Sequence, residues 1–95
     1  MNWSALLIEA VGWVGALLIL GGYWLVSTER LRPTDRLFQW LNIVGAAGFI
    51  VNGVAHGAWP SATLNVLWLL IGLATLWRLG HAAKQRARAP AEQDG

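Results

Sequence analysis

Charge is confined to a few places in this chain, and the tracts between them set its architecture. Nineteen uncharged residues separate Glu9 from Glu29, and forty-one separate Arg36 from Arg78. A helix of nineteen residues rises roughly 28 Å, close to the hydrocarbon thickness of a bilayer. The longer tract is too long for one span and suits two, with a tight turn at His56-Gly57-Ala58-Trp59-Pro60-Ser61. The pattern predicts three helices, at about 4–26, 36–55 and 60–79. Pro60 suits a first helical turn, where its missing N–H has no partner to lose. The fold class is therefore all-α: an integral membrane bundle of three transmembrane helices, residues 1–81, followed by a polar tail, 82–95. The tail mixes Ala and Pro with charged residues and is expected to be disordered.

Within each span, small and polar positions recur every three or four residues and so share one helix face. The first stripe runs Ala5, Glu9, Gly12, Gly15/Ala16, Ile19, Gly22/Tyr23. The second runs Asn42, Gly45, Gly48/Phe49, Asn52, with His56 one turn on. The third runs Ser61, Asn65, Trp68, Gly72, Thr75. Small residues let helix backbones approach closely in lipid, so helix packing accounts for much of this. Gly12 with Ala16, and Gly53 with Gly57, match the small-x-x-x-small pattern. Asn42, Asn52 and Asn65 ask for more. Unsatisfied amides at that depth cost several kcal/mol, so they are expected to face each other, a second copy or water. The pattern allows two orders of the helices across the bundle, 1-3-2 or 1-2-3.

Composition sharpens this picture. The 95 residues are 56% hydrophobic and 13% charged, about half the charged share of a soluble domain. Trp3 and Trp59 fall at one expected interface, and Trp24, Trp40 and Trp77 near the other, as in aromatic belts. Trp13 and Trp68 fall between, where an indole N–H wants a partner. They either fill packing gaps or line a cavity. There is no cysteine, and two distant histidines are too few for a structural zinc site, so neither metal nor cofactor is expected.

All seven basic residues (Arg30, Arg32, Arg36, Arg78, Lys84, Arg86 and Arg88) fall on one side of a three-span arrangement. By the positive-inside rule they determine the topology, with the N-terminus outside and the C-terminus in the cytoplasm. The expected location is a bacterial inner membrane, as a multi-pass protein. Signal peptides open with positive charge, and no Lys or Arg precedes Arg30, so the first segment is expected to remain in the mature protein. The basic residues of the tail suit anionic headgroups, and nucleic acid is not expected as a partner.

Glu9 is the one carboxylate inside a span. Such groups are candidates for ion coupling, although a helix N-terminus also favours a carboxylate near the interface. Ser4, Glu9, His56 and Ser61 map to the same side, but no spacing fixes a nucleophile against a base. No enzymatic activity is expected.

Gly12-x-x-Gly15, Tyr23, Leu41-Asn42-x-x-Gly45, and Trp59-Pro60-Ser61 followed by Asn65-x-x-Trp68 together resemble a family of small bacterial three-span membrane proteins. That family has no established activity and is known only by a locus-tag name. More loosely, the layout is similar to SemiSWEETs, the three-helix half-transporters of the PQ-loop superfamily. Asn65 matches their third-helix Asn, which with a Trp lines a sugar pocket in the homodimer. Asn52-Gly53 stands where they have an aromatic-Gly pair. Gly21-Gly22-Tyr23 occupies the region of their PQ pair, whose proline bends the helix for gating. What the resemblance implies is a half unit for a small solute, because three helices cannot enclose a pathway without at least a homodimer. Asn65 and Trp68 would bind the solute, with Asn42, Asn52 and Trp13 in support and Glu9 as the ion-coupling candidate. The alternative is a non-catalytic accessory or partner-binding membrane module.

Overall fold

The computed structural model describes residues 2–94, with side chains for 2–88. Three helices follow one another: α1 (Trp3–Ser27), α2 (Arg36–Ala55) and α3 (Trp59–Asp94). Each is long and apolar enough to cross a membrane. Asn2 starts α1 by accepting the N–H groups of Ser4 at 3.0 Å and Ala5 at 3.4 Å, a side-chain cap on donors that the first turn leaves open.

The first two helices end alike. The N–H of Arg30 reaches back to Leu25 O, and that of Glu29 to Val26 O. At the next turn Ala58 bonds to Gly53 O, and Gly57 to Val54 O. Both are Schellman closures, which need a left-handed residue just past the helix. Gly57 supplies it at φ 69° without steric cost, whereas Glu29 holds φ 63° with a side chain attached. The 28–35 connection is tied down locally. Asp35 accepts the Arg32 N–H at 2.8 Å, and the Gln39 amide donates to Pro33 O at 2.7 Å.

α2 is central: it packs against α1 on one side and α3 on the other, while no Cα of α1 comes within 8 Å of one in α3. The order across the bundle is 1-2-3, not the 1-3-2 order of SemiSWEETs. The α1–α2 seam is lined by glycine. A Cβ at Gly15 would meet Gly45 O at 2.7 Å, and one at Gly48 would meet Val11 O at 2.8 Å. In the α2–α3 seam, Ile43 fills the space over Gly72 and Gly53 faces Ala62. Gly53 and Gly57 therefore do not act as a pair, since Gly57 is a turn residue in open space. Large apolar side chains point outward along all three helices, the arrangement that lipid solvates.

The third helix corrects an expectation. Instead of ending at 79 before a disordered tail, it continues to Asp94. Ala, Lys, Gln and Arg, strong helix formers, dominate 82–88. His81 stacks on Trp77 with centroids 5.4 Å apart, and Gln85 Nε2 lies 3.2 Å from His81 Nε2. These contacts extend the ladder beyond the apolar tract.

Candidate functional site

Because the backbones of α1 and α3 stay apart, the two helices flank an open trough with α2 as its floor. Phe49 stands at the centre of that floor and borders two adjoining grooves. The first, about 240 Å³, is lined by Glu9, Gly12, Trp13, Ala16, Phe49 and Asn52. The second, about 350 Å³, is lined by Ile19, Phe49, Ser61, Leu64, Asn65 and Trp68. Apolar walls with a few convergent polar groups are the usual make-up of a small-molecule site. The opposite side of the α1–α2 pair also carries a groove, but its lining is wholly apolar, with Leu7, Val11, Val14, Val44 and Val51 among it.

Of the expected site residues, the trough gathers Glu9, Trp13, Asn52, Asn65 and Trp68. Trp13 is 68% exposed and Trp68 49%, so both line a groove while leaving much of the ring uncovered. Asn42 is elsewhere. It lies two turns along α2 from Phe49, is buried at 7% exposure, and lines neither groove.

Two of the three asparagines, Asn52 and Asn65, find a partner that the sequence argument did not include. Asn52 Nδ2 donates to the backbone carbonyl of Ile8, at 3.0 Å, and so ties α2 to α1. Asn65 Nδ2 donates to Ser61 O on its own helix, at 2.9 Å. A helical carbonyl already engaged in the ladder has a second lone pair, so backbone takes one N–H of each of these two amides without another Asn, a second copy or water. The carbonyl oxygen of Asn65 accepts no hydrogen bond among the described residues, which leaves it available at the groove.

At one end of the trough His56 Nε2 lies 3.3 Å from Glu9 Oε1, both side chains being about half-exposed. His56 Nδ1 is 2.8 Å from Asn52 O. Glu9, Asn52 and His56 thus form a linked set across α1 and α2. The sequence named each residue but not the pairing of Glu9 with His56. The signal was there: antiparallel stripes whose middles pack, Gly12 against Asn52, must also bring their ends together. Among the described residues neither Ser4 nor Ser61 bonds to His56 through its hydroxyl, and no three of His, Cys, Asp and Glu cluster.

The antiparallel run of the helices puts Arg30, Arg32, Arg36 and Arg78 at the end opposite Glu9, and α3 carries Lys84, Arg86 and Arg88 further out. Arg30 lies over the Trp24 ring at 4.9 Å, a cation–π contact suited to an interface.

Three apolar helices with a one-sided basic end define a small multi-pass membrane protein. A family model matches residues 8–84, and the chain belongs to that family, an uncharacterised one named only by a locus tag. No curated protein and no solved structure matches the chain.

Proposed function

We propose that the chain is one half of a two-copy membrane unit that holds a small polar or amphiphilic solute between facing troughs. The observation that carries this reading is the meeting of the two grooves at Phe49. Two partly uncovered tryptophans and two asparagines surround a hollow that has walls on three sides. A second copy would supply the fourth wall, giving a SemiSWEET-like homodimer in function though not in helix order. Asn65 and Trp68 bind the solute by hydrogen bonding and stacking, Trp13 packs from the first groove, and Asn52 holds α1 in place. Asn42 supports the floor from within. Glu9 is the ion-coupling group at the mouth. The basic end faces the cytoplasm of a bacterial inner membrane, with the N-terminus outside.

The test is native mass spectrometry of the protein released from nanodiscs, with Asn65→Leu alongside, followed by a solute-binding screen. The expected result is a homodimer that binds a solute, with binding lost in Asn65→Leu while membrane insertion persists. A monomer, or a stoichiometric complex with another protein, overturns it.

A second reading has its own observation. The central α2 departs from the 1-3-2 order of SemiSWEETs, and α1 has no proline to bend it. On that reading the chain is a non-catalytic accessory module, and the trough seats a helix of a different membrane protein.

A further inference from the structure

We infer that Glu9 and His56 form a one-proton site that clasps α1 to the turn between α2 and α3. The inference deepens the reading of Glu9 as the ion-coupling residue of the trough. It rests on that reading for its role, while its geometry stands independently.

Hydrogen-bond accounting carries the argument. Asn52 O is a backbone carbonyl and can only accept, so His56 Nδ1, 2.8 Å away, must carry a hydrogen and donate it. In a neutral imidazole the other nitrogen, Nε2, is then a bare lone pair. That lone pair faces Glu9 Oε1 at 3.3 Å. An ionised carboxylate is also acceptor-only, so two acceptors would confront each other. The contact holds only with one further proton between them. Either imidazolium donates to carboxylate, or a protonated Glu9 donates to neutral imidazole. Both descriptions place the same single proton between the two side chains.

Losing that proton to water breaks the clasp. Repulsion between the lone pairs then parts the side chains, and the freed carboxylate turns toward the groove it already lines. Among the described residues no competing titratable side chain intervenes. Tyr23 is the one other titratable residue of α1, near its far end. α2 has none between Leu37 and Ala55, and α3 none from Trp59 to Trp77. Asn52 couples the site to packing, since the residue whose carbonyl orients His56 also donates to Ile8 O, next to Glu9. Proton release at the rim and exposure of an anionic group in the trough are thus one event.

The experiment places spin labels at Ala5 and Ala58, in a chain with no native cysteine, and reads their distance in nanodiscs from acid to alkaline pH, without solute. Labelled protein is diluted with unlabelled, so that only distances within one chain are read. Wild type is expected to show a longer distance at high pH. In Glu9→Gln the amide donates to His56 Nε2 without any added proton, so the short distance is expected at every pH. Glu9→Leu is expected to be long at every pH. The ring ¹⁵N shifts of His56, with His81 as internal reference, are expected to move with the wild-type distance change. A distance independent of pH in wild type, or a pH transition that survives in Glu9→Gln, overturns the clasp. A monomer that retains the transition overturns the two-copy pocket and leaves the clasp standing.

Discussion

The two seams that α2 makes are built from the same residue type in different ways. At the centre of the α1 seam glycine meets backbone, with Gly15 facing Gly45 O and Gly48 facing Val11 O, while Gly12 and Gly22 toward its ends meet side chains. Against α3, Gly72 is capped by the side chain of Ile43, and Gly53 lies beside Ala62. A carbonyl held in a helical ladder cannot move without shifting the helix, whereas an isoleucine can change rotamer within its packing. The centre of the first seam is therefore fixed at one spacing, and the second has some give at Gly72. That division suits a trough with one rigid wall, α1, and one adjustable wall, α3.

The largest effect expected from this difference is at Gly15. Gly15→Ala puts a Cβ 2.7 Å from Gly45 O, a carbonyl held in the α2 ladder. Overpacking of this kind costs about 3 kcal/mol or more, and unfolding titrations in detergent should show the loss directly. If the loss is under about 1 kcal/mol, α1 can slide and the rigid-wall description fails. Gly72→Ala is the matched change in the other seam. Its Cβ meets Ile43 Cγ1 at 2.8 Å, and rearrangement of Ile43 should limit the cost to about 1–2 kcal/mol. Equal losses at the two positions would erase the contrast. Asn52→Leu is the smallest of the three. An interhelical hydrogen bond in a membrane contributes about 0.6 kcal/mol on average, so the expected loss in stability is on that order. Its clearer sign would be weakened α1–α2 cross-linking near Ile8.

Much of the fold was legible because its signals are local. Charge spacing set the spans, and α2 fell at the expected bounds, 36–55. The stripes of α1 and α2 identified the buried glycines 12, 15, 22, 45 and 48. The stripe of α3 was right at Gly72, which packs against Ile43, and missed Ala62, the buried neighbour of the exposed Ser61. Small and apolar neighbours at adjacent positions give periodicity no means of choosing between faces. Helix order was not legible either, because it depends on which stripes pair rather than on any one stripe. The extension of α3 was hidden by composition. Charged residues that exclude a membrane core are also good helix formers, and polarity alone does not mark a helix end. Within the candidate site, Trp13, Asn65 and Trp68 were legible as unusual residues at depth. The hydrogen bonds of the asparagines to backbone were not, because the sequence does not display which carbonyls come within reach.

The continuity of α3 has a mechanical consequence. The wall that bears Asn65 and Trp68 is the same rod that runs on to Asp94. From Leu79 onward it extends roughly 24 Å at helical rise. Up to Pro90, whose missing N–H interrupts the ladder, a tilt of about 10° in the trough would swing the extension by roughly 3 Å. A probe near Arg88 would register any such tilt of the trough wall without touching the trough.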